Sequence, residues 1–312
     1  MLRWRGLDSI PTGWGRCVLT IGVFDGLHRG HELIVSTAVA RARALDVPAV
    51  MMTFDPHPAE VLRPGSHPAE LTTLRRRAEL AELLGVDVFC VVPFTAAMAS
   101  TSAESFVHEV MVDQLFVAEV VVGEDFRFGN RGLGSLAMLK ELGDRWGFRA
   151  AGVPLLSDGS IKVSSTYVRA CVASGDVTAA AAALGRPHRV EGVVVHGDGR
   201  GTGLGIPTAN LAPTPHAAIP ADGVYAAWFN LGTRRSPAAV SVGTNPTFEG
   251  KERRVEAFVL DGGDNFYGRR IALDFVEHLR GMWKFESVEV MMAQIDRDVS
   301  RTHEILGTSP RT

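Results

Sequence analysis

The stretch GVFDGLHRGH, residues 22–31, holds two imidazoles three positions apart, His28 and His31, directly after the apolar run CVLTI. An apolar run, an Asp-Gly turn and a polar helical start read as strand, tight turn and helix N-terminus, where open α/β sheets bind nucleotides. On that first helical turn His28 and His31 share one face. Imidazoles titrate near pKa ~6.5 and gain protons readily beside phosphate oxygens, so the pair suits charge stabilisation near neutral pH. Gly30 removes a side chain between them and lets a phosphate chain approach the backbone. Helix capping and zinc ligation are the other uses of such a pair. Zinc ranks lower, because HxxH lacks the glutamate of HExxH and no Cys or His cluster stands nearby in sequence.

Further groups follow the same logic. FDPHP, residues 54–58, adds a histidine in a rigid loop after a second apolar run. VVVGEDFRFGNRGLGS ends another apolar run with Asp125 and two aromatics among glycines. VSSTYVR sets Ser164, Ser165 and Thr166 before a helical pattern, with Arg169 one turn in. These hydroxyls are either N-caps or, with helix N–H groups and the guanidinium, a phosphate receptor. Later, GDGRGTGLGIPTANL has glycine at every second position from 197 to 205 but contains neither GxGxxG nor a Walker loop. Thr208 and Asn210 behind it face one side if the chain is extended, and their oxygens are hard ligands suited to Mg²⁺ with nucleotide phosphates. Glu256 sits inside the β-rich run RRVEAFVLD, where a glutamate ordinarily faces solvent.

Two kinds of element must position these groups. Over residues 17–153, short β-rich runs alternate with helical patterns at 31–45, 73–84, 102–113 and 135–146, which predicts βαβ units and a buried parallel sheet. Two more helices are expected from near Ser164 and Asp176. After His188 the runs RVEGVVVH, GVYAAWFN, AAVSVG, RVEAFVL and RIALDFV, separated by Gly and Pro, predict an antiparallel sheet or small barrel, closed by a helix over 287–306. Gly and Pro place the linker at 185–189.

The totals fit this division. At 312 residues the chain exceeds one domain of ~100–150 residues, so two are expected. A formal net charge of −3 gives no long-range attraction to nucleic acid or anionic membrane, so neither is expected as a partner and phosphate binding must be local. Three scattered cysteines without CxxC spacing suit a reducing cytoplasm, and the charged, Pro- and Gly-broken N-terminus does not read as a secretory signal. No run approaches the ~20 apolar residues of a membrane span.

Taken in order, GVFDGLHRGH, FDPHP, VGEDFRFG, SSTYVR and PTAN resemble the motifs of the bifunctional bacterial riboflavin kinase and FAD synthetase family over essentially the whole chain. The resemblance implies an α/β fold: a Rossmann-like nucleotidyltransferase sheet over residues 1–186, acting as FMN adenylyltransferase, and an antiparallel six-stranded β-barrel with a terminal helix over 187–312, acting as riboflavin kinase. It puts His28 and His31 in the HxGH position that handles ATP phosphates, with Gly22, Phe24, Asp25 and Gly30 in the same cradle. Asp125 falls where the family carries Asn or Asp, and Ser164, Ser165, Thr166 and Arg169 fall on its second phosphate motif. In the kinase half it implies Gly205 and Pro207 at ATP, Thr208 and Asn210 at Mg²⁺, and Glu256 as catalytic base. ATP, riboflavin, FMN and FAD are the implied partners and Mg²⁺ the implied cofactor. The chain departs from the family with Leu27 for Val, Ile206 for Phe, and Asn265-Phe266 where Asp-Leu is usual.

The two reactions make different demands. A neutral ribityl 5′-hydroxyl needs a base before it attacks the γ-phosphorus. The FMN phosphate, already at about −1.5 to −2, needs none, only charge relief and alignment at the α-phosphorus. A nucleotidyltransferase for another acceptor, such as a pantetheine phosphate or nicotinamide mononucleotide, would share the first cradle but not the kinase-like half. A regulatory flavin- or nucleotide-binding protein would bind without turnover. Phe126, Phe128 and Trp283 are aromatic enough to stack on a flavin ring, with core packing the commoner use.

Overall fold

The computed structural model describes residues 1–159, 161–197, 207–244, 253–262 and 265–309. Gly205 and Ile206 lie outside them. Internal contacts divide the chain into two units, Met1–Pro68 with Leu74–Ser164, and Ala69–Thr73 with Ser165–Thr312.

The first unit runs β1 (Leu2–Arg5), β2 (Cys17–Ile21), α1 (Arg29–Leu45), β3 (Ala49–Asp55), α2 (Pro58–Leu62), α3 (Leu74–Leu83), β4 (Val88–Pro93), α4 (Ala96–Ser100), α5 (Ala103–Phe106), β5 (Val117–Gly123), β6 (Arg127–Phe128), β7 (Gly134–Ser135), α6 (Leu136–Trp146), β8 (Arg149–Val153), β9 (Ser157–Asp158) and β10 (Ile161–Lys162). The main sheet has the order β1-β4-β3-β2-β5-β8, with every pairing parallel. From β2 the chain winds outward through β3 and β4, then restarts on the other side with β5 and β8. The carboxyl ends of β2 and β5 therefore form the topological switch point, where such sheets open a crevice.

All five residues of β2 are buried because both faces of the sheet are covered. Cys17, Leu19 and Ile21 pack with Phe106, Met111 and Leu139 on one side. Val18 packs with Ala38 and Ala42 of α1 on the other. The buried spacing Val35, Ala38, Ala42 gives α1 its sheet-facing stripe. Truncating Leu19 to Ala in so central a position costs about 2–5 kcal/mol.

The second unit contains α7 (Ser165–Ser174), α8 (Val177–Leu184), β11 (His188–Val195), β12 (Thr208–Pro213), β13 (Gly223–Leu231), β14 (Arg234–Thr244), β15 (Arg253–Val259), β16 (Arg270–Arg280) and α9 (Val288–Leu306). Its six strands close into an antiparallel barrel in the order β11-β12-β15-β14-β13-β16, with α9 packed on β13, β14 and β16. Alternation sets the faces: Val255, Ala257 and Val259 fill the interior with Ala209, Leu211 and Val240, while Glu256 and Phe258 turn outward.

By internal contacts α7 and α8 group with the barrel strands, from Ser165 onward. The reason is packing: α7 and α8 pair, α8 lies against β11 and β16, and Val177 joins the barrel core. Among the described residues no helix is long and apolar enough to cross a membrane.

Candidate active sites

At the carboxyl end of β2 the chain turns through Gly22 to Leu27. A Cβ on Gly22 would press to 3.3 Å on the Phe24 ring. Phe24 and Leu27 adopt left-handed backbones (φ 52° and 39°), and the Leu27 N–H donates to the Phe24 carbonyl at 3.0 Å, closing the turn. Leu27 is fully buried with Met51 and Ala78 and so anchors the loop. Asp25 is buried in the same turn.

His28 is the N-cap of α1. Its backbone is extended and its Nδ1 accepts the His31 N–H at 3.3 Å. A backbone N–H can only donate, so Nδ1 carries the lone pair and the ring proton sits on Nε2. The His31 ring stacks on His28 with centroids 3.7 Å apart, and the Phe24 ring meets His31 edge-on at 5.2 Å. A Cβ on Gly30 would lie 3.2 Å from His28 Nδ1 and Cε1, so the glycine makes room for the imidazole. Capping thus uses one ring nitrogen of His28, the one that accepts the His31 N–H.

Asp125 follows β5, at the neighbouring strand end, and is exposed. Lys162 Nζ on β10 sits 2.7 Å from its Oδ2, and Arg29 Nη1 lies 3.5 Å from Asp158 on β9. Lys162 escaped the sequence reading because its partner is 37 residues away. Ser164 is half-buried at the end of the first unit, whereas Ser165, Thr166 and Arg169 lie on α7 of the second. Arg169 Nε donates to the Ala69 carbonyl at 2.7 Å. Phe128 is a core residue, stacked on Phe126 and near Phe106.

The second constellation lies on the outer face of the barrel. In the antiparallel registers Val195 opposes Asn210, Asn210 opposes Glu256, and Glu256 opposes Ser241. Directly opposed residues share a face, so these four form one row across β11, β12, β15 and β14. Thr208, two positions before Asn210, belongs to the same face, as an extended PTAN requires. Pro207 before it is exposed. A Cβ on Gly197 would overlap the Asn210 amide, so this glycine lets the backbone close on that side chain.

Beside the row is a cavity of about 650 Å³ lined by His196, Gly197, Asn210, Thr214, Arg253 and Arg254. Its basic rim suits phosphate oxygens. Arg253 is tied to Asp222 Oδ1 at 2.7 Å and to the Ile219 carbonyl at 3.2 Å. Trp283 is exposed and carries the Arg280 guanidinium over its ring at 4.8 Å.

The comparisons with known proteins divide the chain in the same sense. A FAD synthetase family profile matches residues 10–167 and a riboflavin kinase profile matches 184–306. A bifunctional riboflavin kinase/FMN adenylyltransferase of Escherichia coli (strain K12) is 35% identical over 292 residues, 93% of each chain. The Pseudomonas fluorescens protein of the same name is 35% identical over 306 residues, 98% of each chain. A crystal structure described as a macrolide-efflux protein from Streptococcus pneumoniae superposes with a TM-score of 0.89 at 30% identity, covering 97% of this chain and 99% of that one. Two family profiles in tandem, full-length relatives and the motif residues at a sheet switch point and on a barrel face lead to one statement: the chain belongs to the family of bifunctional riboflavin kinases/FMN adenylyltransferases, transferases that make FMN and FAD.

Proposed function

We propose that residues 187–312 phosphorylate riboflavin with ATP at the Asn210–Glu256 row, and that residues 1–186 adenylylate FMN at the His28–His31 pair. The observation that carries the reading is the direct register of Asn210 with Glu256, which sets a carboxylate beside the oxygen donors of PTAN. In the kinase step Glu256 accepts the proton of the ribityl 5′-hydroxyl as its oxygen bonds to the γ-phosphorus, and the bond to the β-phosphate oxygen breaks to release ADP. Thr208 Oγ1 and the Asn210 amide oxygen fit Mg²⁺, which would neutralise charge on the nucleotide phosphates there. Pro207 fixes the entry to this strand, and Gly205 belongs to the same ATP motif by sequence.

In the adenylyl step an FMN phosphate oxygen attacks the α-phosphorus and pyrophosphate leaves. His28 Nε2–H donates to phosphate oxygens, His31 neutralises charge beside it, and Gly22, Phe24, Asp25 and Gly30 shape the loop that holds both. Asp125 and Ser164 are assigned to nucleotide binding in the same reaction, and Ser165, Thr166 and Arg169 keep their place in the second phosphate motif by sequence. Three buried, unpaired thiols, Cys17, Cys90 and Cys171, support action in a reducing cytoplasm.

The test is a chromatographic time course with Mg-ATP and riboflavin. FMN should appear first with one ADP per flavin, then FAD with one pyrophosphate. Flavin that binds but stays unmodified would leave a binding role in place of this one.

A further inference from the structure

The carbonyl oxygen of Val23 receives donors from two elements, Thr53 Oγ1 on β3 at 3.0 Å and Arg77 Nη1 on α3 at 3.0 Å. Thr53 is fully buried and Arg77 is only 2% exposed. Taking a guanidinium out of water is costly, and a buried one persists where its fixed fork of donors is used. Val23 opens the turn in which Phe24 and Leu27 hold left-handed backbones. Non-glycine residues stay in that region only where their surroundings over-determine it. The far end of the turn is the His28 cap, and the Phe24 ring within it meets His31 edge-on. Two donors on Val23 therefore fix one end of a strained loop whose other end is the histidine pair.

We propose that Arg77 is a positioning residue for adenylyl transfer: by holding the Val23 carbonyl from α3 it sets the loop that aims His28 and His31 at the triphosphate. This rests on the assignment of adenylyl transfer to that pair. The effect of Arg77 passes through backbone placement, where a shift of about 1 Å can cost about a hundredfold in rate.

The test compares Arg77→Met, which keeps length and loses the donors, with Arg77→Lys, which keeps charge and one donor, and Thr53→Val, which removes the second donor at constant shape. FMN adenylylation and riboflavin phosphorylation are measured on the same preparation, with kcat separated from KM, and the His28 and His31 ring resonances are followed by NMR. Arg77→Met should lower kcat for adenylylation about a hundredfold, with smaller changes in KM, displaced ring resonances and phosphorylation within about twofold of the parent. Arg77→Lys should recover part of the loss and Thr53→Val should show a smaller one. Unchanged adenylylation in Arg77→Met overturns the proposal; if that variant does not fold, unchanged adenylylation in both Arg77→Lys and Thr53→Val overturns it. His31→Ala, run alongside, separates the two levels: if it still adenylylates FMN, the site assignment itself fails, whereas its loss beside an active Arg77→Met removes only the role of Arg77.

Discussion

His28 caps α1 through Nδ1 and, on the proposed assignment, donates through Nε2–H, and substitutions can separate the two roles. His28→Ala removes the cap and should cost about 1 kcal/mol of stability, read as a lower Tm. It also removes the Nε2–H donor, and FMN adenylylation should fall about 10²–10³-fold, the range seen when one donor to a developing charge is lost. His28→Asn keeps a capping oxygen and an N–H donor, so it should restore the Tm and recover part of the rate. Equal rates for the Ala and Asn variants would show that the donor is not used. Gly30→Ala should harm the same reaction, since its Cβ would crowd the His28 ring at 3.2 Å.

At the scale of elements, each site is a place where strands end or align. Gly197 at the end of β11 lies where a side chain would overlap the Asn210 amide on β12, so Gly197→Ala should reduce riboflavin phosphorylation by tenfold or more, roughly the cost of moving one aligned group. FMN adenylylation, measured in the same sample, should be unchanged. Much of this was legible in the sequence. The alternation of β-rich and helical runs gave the parallel sheet, and PTAN and RRVEAFVLD gave residues that prove to be opposed. The strand β12 was readable only conditionally, because a glycine-rich stretch precedes it. The edge strands β1 and β8 lack the continuous apolar run that marks β2. A helix was legible from near Asp176, but not that Val177 would join the barrel core. Lys162 and Arg77 act through partners far away in sequence, which no local pattern reports.

At the scale of the molecule, the first unit stores its thiols in the sheet core. Burial pushes both the Cys17 and Cys90 thiols from 9.0 up to about 12. The unfolded chain releases these protons near pH 9 and the folded chain only near pH 12, so between those values the unfolded state binds fewer protons and stability falls as pH rises. The slope is about 1.4 kcal/mol per pH unit for each thiol, and below pH 9 the effect is absent. Urea midpoints from pH 8 to about 11 should fall, and less steeply in Cys17→Ala and Cys90→Ala than in the parent.

The proposed assignment of two constellations implies two active sites that can be silenced one at a time. The most direct measurement is a chromatographic assay of His31→Ala and Glu256→Gln with Mg-ATP and either riboflavin or FMN. The account predicts that His31→Ala converts riboflavin to FMN and stops there. Glu256→Gln should leave riboflavin untouched and still convert supplied FMN to FAD. If either substitution abolishes both reactions in a folded protein, or if Glu256→Gln still phosphorylates riboflavin at the parent rate, the assignment of separate sites to these residues is contradicted.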